Sequence, residues 1–487
     1  PVPNWFPYKP KYFHTNFKIE GSGETISLTK QNIAQSLVVP EMNYNTSFGR
    51  KADGTGYPFN TIYPATPKAT NNTSTIYNGY TQKPVITLAS GFYNSPQMVA
   101  ISTTQTGSVQ IRYTTNGSVP QLTDKLYTVP ISIDSTMVLK ARVFQNDNSL
   151  FPGPVATASY FINCPTVLPI ISLTIDSFDL YDWNTGIYVK GPNAATLYPH
   201  KGANYWQDWE RPCLVEFFDT NRVRQILTEG MIGTFGNYTR AKPQKSWDFK
   251  VRTLYDTAGI DYRMFNEKTK TNFKNLVFRN GGSDWMDAHL RDEFLHRVHY
   301  SDGIFATPAR TVVLYLNGKY HGVYHVREKS DEKFLSDYSG LEKDSIDQIK
   351  VSGTELAANG TLDAFTSMVN FITNNDLTNL NNYNQAKSYW DMDNYMTYFA
   401  SEIYCANEDW ISTWINNIKL WRPKGVMGAK WSYQLHDVDQ GLRSAMINDT
   451  TLRSAYKTGA ANYHTKMLNK FTKNDEFERR FINKFYD

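Results

Sequence analysis

The sequence predicts a multidomain chain: two small all-β modules followed by one large α+β domain. Three observations lead there. The 487 residues exceed what a single hydrophobic core organises, so about three domains are expected. Up to residue 163, short apolar runs sit between clusters of Gly, Pro, Asn and Ser, the pattern of short strands and turns. From Ile170 onward, longer strand-like runs are interspersed with apolar residues at helical spacing. The hydrophobic fraction of 40% and aromatic fraction of 14%, with 32 Tyr and 27 Phe, are those of a folded, β-rich chain rather than a disordered one.

Composition also excludes partners. A formal charge of +4, with Lys and Arg interspersed among Asp and Glu, provides no dense basic face, so nucleic acid is not an expected partner. No apolar run approaches the roughly 18 residues of a membrane span, so no transmembrane segment is expected. Pro1-Val2-Pro3-Asn4-Trp5 is not a signal peptide, and the sequence is expected to start within a domain or after a removed leader. It is also expected to continue past Asp487, because a charged helix-like segment, Asp475 to Phe481, runs up to its last residues. Cys164, Cys213 and Cys405 lack any CxxC or Cys/His spacing, which argues against structural zinc and allows one disulfide with one thiol left over. The Asn/Thr/Ser/Tyr-rich texture of the first 165 residues points to an extracellular or cell-surface location.

The first module, 1–75, alternates short apolar runs with the turn signals Gly21-Ser22-Gly23-Glu24, Ser47-Phe48-Gly49-Arg50-Lys51-Ala52-Asp53-Gly54 and Pro64-Ala65-Thr66-Pro67. It resembles the second half of a lamin-tail domain, whose usual ending is a Ser-x-Gly-Arg, Asp-Gly and Thr-Pro series. A polar linker follows, and then a second β module, 81–163. Its run Tyr113-Thr114-Thr115-Asn116-Gly117-Ser118-Val119-Pro120 predicts a hairpin, because a type I′ turn needs positive φ at both central residues. This module resembles the C-terminal domain appended to chitobiases and β-hexosaminidases, where that series recurs. These resemblances imply immunoglobulin-like modules that act as spacers or contact surfaces.

The large domain, 166–487, carries the candidate chemistry. Lys245-Ser246-Trp247-Asp248-Phe249-Lys250-Val251 alternates sharply, with Trp247, Phe249 and Val251 on the buried face. Arg240, Lys242 and Lys245 cluster at the start of that strand, either to cradle phosphate oxygens or as a solvated edge. Leu276-Val277-Phe278-Arg279 runs into the turn Asn280-Gly281-Gly282-Ser283-Asp284. A helix follows in which Leu290, Phe294 and Val298 form the apolar face, leaving Arg291, Asp292 and Glu293 toward solvent or a cleft. His289, His296 and His299 lack the spacing of a metal pair and are expected on the helix surface. Thr311 to Glu328 predicts a β-hairpin around Asn317-Gly318, with Glu328 at its exit placed to hold a lysine, a metal or a ribose.

Near the C-terminus, Asn407-Glu408-Asp409, Asn416-Asn417 and His436-Asp437-Val438-Asp439 set acids and amides around two strand-like runs. The loop Pro423 to Gly428 lengthens the hairpin between Trp421 and Trp431. Phosphoryl transfer asks for this inventory: one carboxylate to take the acceptor proton, and an amide with further carboxylates to hold divalent ions against phosphates. Asp409, Asn417 and Asp437 fit those roles.

The ordered series Arg240…Pro243-Gln244-Lys245-Ser246, Arg279-Asn280-Gly281-Gly282-Ser283-Asp284, Leu290-Arg291-Asp292, Leu316-Asn317-Gly318-Lys319-Tyr320-His321-Gly322, Arg327-Glu328, Asn407-Glu408-Asp409, Asn417, Trp431 and Asp437-Val438-Asp439 resembles the spore-coat protein H (CotH) kinase family. The resemblance implies a secreted atypical protein kinase with a degenerate kinase-like fold, using ATP with Mg²⁺ or Mn²⁺ on a protein substrate. It makes Asp409 the catalytic base and Asn417 and Asp437 metal ligands, with Asp439 assisting. Lys245 becomes the phosphate-contacting lysine, supported by Arg240, with Glu328 and Trp431 at the nucleotide; Arg279 and Arg291 are weaker carry-overs. Pro-Gln-Lys-Ser replaces the Pro-Lys-Lys-Ser of many members, and no Gly-x-Gly-x-x-Gly loop precedes the lysine strand, as is usual in the family. Two other readings stand beside this one. A catalytically silent kinase-like scaffold would serve an adhesion or surface-assembly complex and its partner, and a glycan-binding or glycan-processing protein would use Asp409 and Asp437 as a carboxylate pair.

Overall fold

The computed structural model describes residues 19, 21–30, 33–43, 46–52, 58–66, 69–251, 259–411, 415–444, 451–456 and 462–486. The N-terminal region is all-β. Glu24–Lys30 pairs with Ile33–Val39, and Ser47–Gly49, Asn60–Tyr63 and Thr75–Tyr77 form a three-stranded antiparallel sheet. Asp53, Gly54 and Pro67, three of the turn residues singled out above, lie outside the described residues.

Next comes a five-stranded sheet whose central strands, Val109–Thr114, Met137–Gln145 and Ala156–Ile162, close over a core of Val99, Ile133, Leu139, Ala141 and Tyr160. The hairpin expected at Asn116-Gly117 is not tight: Val109–Thr114 pairs with Lys125–Leu126 at Arg112↔Leu126 and Tyr113↔Lys125, leaving a connection over 115–124. The loop is instead held by its surroundings. Lys140 Nζ donates to the Gly117 carbonyl at 2.7 Å, and Ser177 Oγ, from the following region, donates to the Asn116 carbonyl at 2.8 Å.

The C-terminal region mixes helices and strands in two parts. The first is a closed seven-stranded barrel of β1 (Ile170–Ile175), β2 (Arg211–Phe218), β3 (Arg224–Phe235), β4 (Ser246–Lys250), β5 (Asn275–Arg279), β6 (Ala309–Leu316) and β7 (Lys319–Arg327), joined in the order β1-β2-β3-β4-β5-β7-β6. Alternation in β4 sends Trp247 and Phe249, both 0% exposed, into the barrel core with Phe217, Phe278 and Tyr324. The opposite face, Ser246, Asp248 and Lys250, turns outward. Asn317 (φ 51°) and Gly318 (φ 77°) form the β6–β7 turn as expected. Glycine is required there twice over, since a Cβ on Gly318 would also lie 2.6 Å from Met137 Cα of the preceding β module. That module packs on the barrel through Phe92, Phe161, Phe218 and Tyr315.

The second part is a four-stranded sheet ordered β9-β8-β10-β11, from β8 (Ile346–Val351), β9 (Glu355–Asn359), β10 (Ile418–Pro423) and β11 (Ser432–Gln434). Helices cover it around an aromatic core in which Tyr433 stacks on Trp390 and Tyr398. The long β10–β11 connection is a surface loop, with Met427 fully exposed.

Helix α1 (Arg291–Val298) corrects one expectation. Leu290, Phe294 and Val298 are 46–51% exposed, whereas Asp292, Leu295 and His296 are buried at 0–2%. The buried face is polar because Asp292 meets two guanidiniums, Arg327 Nη1 at 2.5 Å and Arg279 Nη1 at 3.5 Å. His296 and His299 are accordingly buried rather than on the surface. No disulfide forms: Cys164, Cys213 and Cys405 are free and buried. Among the described residues, no helix is long and apolar enough to cross a membrane.

Candidate functional site

A cleft of about 900 Å³ opens between the barrel and the four-stranded sheet. The barrel side supplies the end of β3 with its following turn (233–240), the outward face of β4, Arg279 from the end of β5, and Gly282 and Ser283. The sheet side supplies Lys350 and Ser352 at the end of β8, Asp409, Asn416 and Asn417 ahead of β10, and His436, Asp437 and Asp439 after β11.

Asp409 is positioned from below. Glu402, on the helix Met392–Tyr404, is 1% exposed and accepts from Asn407 Nδ2 at 2.8 Å. Burial pushes its carboxyl up to about 8. The Asp409 amide donates to Asn407 Oδ1 at 3.3 Å, a turn that aims the following side chain. The Asp409 carboxylate then accepts from Asn416 Nδ2 at 3.1 Å and from Asn417 Nδ2 at 3.0 Å. Asn417 Nδ2 lies 3.4 Å from the Asp437 carbonyl, so the three residues named from sequence share one corner of the cleft. Asn417 and Asp437 both adopt φ 56°, a conformation that Asn and Asp tolerate better than other side chains.

The acid pair is tied to the barrel by Arg279, whose Nη2 reaches Asp437 Oδ1 at 2.5 Å and Asp439 Oδ2 at 2.7 Å. The backbone between the two acids is fixed by α1, because the Val438 amide donates to Asp292 Oδ1 at 2.7 Å. Asp439 Oδ2 also accepts from the Ser283 amide at 2.7 Å. Gly282 (φ 63°) makes this approach possible: a Cβ there would lie 2.1 Å from Asp439 Oδ2.

The charges do not balance locally. Four carboxylates, Asp292, Glu293, Asp437 and Asp439, share two guanidiniums, Arg279 and Arg327. His296 and His325, which adjoin them, are held neutral by burial at about 3 and about 4. Burial and the neighbouring Asp437 raise the Asp439 carboxyl well above the usual range, while Arg279 and Arg327 overcome burial to hold Asp292 well below it. Among the described residues, no three His, Cys, Asp or Glu groups come together as a metal cage. A divalent cation here would rest on carboxylate and amide oxygens of Asp437, Asn417 and Asp439, completed by phosphate oxygens. The acid excess and the hard-oxygen donors fit a cation of the Mg²⁺ type.

Several expected contacts fall elsewhere. Lys245 is 3% exposed and does not line the cleft. Its Nζ donates to the Arg240 and Lys242 carbonyls at 2.7 and 3.1 Å and sits 4.0 Å from the Tyr205 ring centre, so it pins the cleft-lining turn from behind. Arg240 does line the cleft, with Nε bonded to the Gly236 carbonyl at 2.8 Å. Glu328 is drawn away into a buried group with Lys268 (3.3 Å), Lys270 (2.7 Å) and the Tyr338 hydroxyl (2.6 Å). Its neighbour Lys329 faces the cleft instead, paired with Asp248 at 2.9 Å. Trp431, 1% exposed, belongs to the sheet core, packed edge-on to Phe365, and does not line the cleft. Arg291 binds Asp284 at 2.5 Å and braces the 282–286 turn. Sequence reasoning gave no role to Asp248, Lys329, Lys350 and Ser352, and set Asn416 only beside Asn417 in the inventory. Asp248 carried a usable signal, as the middle residue on the polar face of β4.

Comparison with known proteins agrees with this organisation. The family model for the CotH kinase protein matches residues 232–487, just over half of the chain, and that for the chitobiase/beta-hexosaminidase C-terminal domain matches residues 88–150. No curated protein matches the sequence. With the cleft, its acid pair and its amides all falling in or against the longer match, the chain belongs to the CotH kinase protein family.

Proposed function

We propose that the cleft transfers the γ-phosphoryl group of ATP to a protein hydroxyl with the help of Mg²⁺ or Mn²⁺. The observation that carries this reading is that Asn417 joins the other two residues, its Nδ2 donating to the Asp409 carboxylate at 3.0 Å and to the Asp437 carbonyl at 3.4 Å. Asp409 is the group that orients and deprotonates the acceptor; its carboxylate is half-exposed in the cleft and steered by two amide side chains. Asn417, Asp437 and Asp439 would hold the cation, which when bound neutralises charge on the phosphate oxygens. Arg279 keeps the acid pair in place, and Asp292 keeps the backbone between them from turning away. Asp409→Ala should lower phosphotransfer roughly 10²–10⁴-fold while leaving Mg-ATP binding intact. Loss of binding together with transfer would remove the base assignment.

A silent scaffold is the second reading, and the Arg279 bridge favours it to the extent that this guanidinium already occupies the acids a cation would use. A thermal-shift titration with Mg-ATP separates the two, since a specific site raises the melting temperature by mass action and a closed scaffold does not. We place the protein outside the cell or on its surface, on the polar texture of its N-terminal region, with a protein substrate or a surface-complex partner as its target.

A further inference from the structure

The helix Met392–Tyr404 holds the turn that carries Asp409 at two points. Tyr398 and Glu402 stand four residues apart, so both side chains leave the same face of the helix. Glu402 reaches the start of the turn: its Oε2 accepts from Asn407 Nδ2 at 2.8 Å, and its carbonyl accepts from the Asn407 amide at 3.2 Å. Tyr398 reaches the far end, where its hydroxyl accepts from Trp410 Nε1 at 3.0 Å. Asp409 lies between the two anchors, with its own amide on Asn407 Oδ1. Tyr398, Glu402, Asn407 and Trp410 are all buried, at 0–1% exposed.

The same helix face is fixed against the strand that supplies the acid pair. Tyr398 stacks on Tyr433, with ring centres 4.2 Å apart and planes 8° from parallel, and Tyr433 lies in β11, just ahead of Asp437. One aromatic stack therefore sets the position of the Asp409 turn relative to Asp437. Glu402 serves here as a neutral acid. Tyr398, Cys405 just past the helix end and Asp292 on α1 bear on its charge, and none of them is a cation. Burial keeps its proton in place up to about 8, so at neutral pH it contributes shape and a hydrogen bond, which an amide can copy.

We propose that Glu402 and Tyr398 are positioning residues for the transfer step, a two-point clamp that aims the Asp409 carboxylate at the acceptor hydroxyl. The clamp rests on the reading of Asp409 as the base. Neither side chain lines the cleft, and both act through the turn. A base held off line loses rate rather than ligand affinity.

The test measures two quantities on the full chain: phosphate transfer from Mg-ATP to a mixed peptide library bearing Ser, Thr and Tyr, and backbone hydrogen exchange across residues 406–411. Glu402→Leu should lower the apparent kcat by about 10- to 100-fold while the KM for Mg-ATP stays within about twofold of the parent, because the cation-holding side chains lie off the turn. Tyr398→Phe, which can still stack on Tyr433, should lower kcat several-fold. Both should speed exchange at the turn. Glu402→Gln should match the parent in both measurements at neutral pH, and so should Tyr395→Phe, which removes a buried hydroxyl without a partner among the described residues from elsewhere on the same helix. Should Glu402→Leu fail to fold, Tyr398→Phe decides. Parental kcat and exchange in Glu402→Leu and Tyr398→Phe overturn the clamp. So does a Glu402→Gln variant as slow as Glu402→Leu, since the hydrogen bond would then not be what matters. A raised KM with unchanged kcat assigns the two residues to ligand binding and overturns the positioning role. If the parent transfers no phosphate, the phosphotransfer reading falls by itself, and exchange at the turn alone supports or overturns the clamp.

Discussion

The two walls of the cleft treat charge differently. On the barrel wall, charges are settled where they stand: Lys250 pairs with Glu210, Lys329 with Asp248, and Lys245 with two main-chain carbonyls. Across the cleft, Asp437 and Asp439 lean on an arginine they share with Asp292, and Lys350 stands opposite Lys419 in the strand register. A charge satisfied inside the fold holds shape. A charge left in excess at a cleft is held ready for a ligand, at a cost the rest of the fold must offset.

The largest way to break this contrast is to remove the shared cation. Arg279→Met takes from Asp437 and Asp439 the guanidinium they share and leaves Asp292 with Arg327, and should cost about 3–5 kcal/mol in urea denaturation, as stripping one partner from a buried ion cluster does. Magnesium should raise the melting temperature of this variant more than that of the parent, because the cation then has two acids without a counter-charge to neutralise. An equal rise in both would mean that Asp437 and Asp439 do not bind it.

That dependence on Arg279 also shows where sequence reading stopped. The alternation of β4, the Asn317-Gly318 turn, the long β10–β11 loop and the helix Asp475–Asn483 were legible, because each is written within a few adjacent residues. The order of Asp409, Asn417 and Asp437 was legible as an inventory. What placed them was not. Asp292 meets the Val438 amide across 146 residues of chain, and a helix whose buried face is an aspartate held by arginines reads, by periodicity alone, as facing the other way. Glu328 and Lys329 are adjacent, and only the pairing of Glu328 with Lys268 and Lys270 decides which of them turns from the cleft. Lys350 offered no signal at all until the register put Lys419 across from it.

A smaller effect distinguishes the helical part from its sheet. His464 is fully buried, bonded to the Tyr433 hydroxyl at 2.8 Å and 3.9 Å from Glu355, and burial pushes it down to about 3. Above about pH 6.5 the ring is neutral in folded and unfolded chains alike. Below that the unfolded chain takes up a proton that the folded one refuses, so stability falls as pH drops toward 3, by up to roughly 1.4 kcal/mol per pH unit. His464→Gln should flatten the melting temperature between pH 6.5 and 4 relative to the parent. An unchanged slope would assign the acid sensitivity to other groups, such as His296.

Next in size is the support the barrel takes from the β module. Gly318→Ala puts a side chain at φ 77° and against Met137, and should cost about 1–2 kcal/mol for the backbone alone. If the module is merely tethered, the strain relaxes by undocking and protease cleavage near residues 163–169 accelerates; if it is part of the barrel's support, the two parts melt together at a lower temperature.

The smallest effect sharpens the comparison most directly, because it asks the barrel wall the question put to Arg279. Lys250 is 30% exposed at its side chain and bridges Glu210 and Asp248, and the latter keeps a second cation in Lys329 when Lys250 is gone. Solvent screens what remains, so Lys250→Met should cost less than about 1 kcal/mol by denaturant titration. Magnesium should do nothing to its melting temperature, since Asp248 keeps Lys329 as a counter-charge and Glu210 is left as a single carboxylate. A loss as large as that of Arg279→Met, or rescue of this variant by magnesium, would mean that both walls carry excess charge, and the cation site would have to be sought on the barrel side as well.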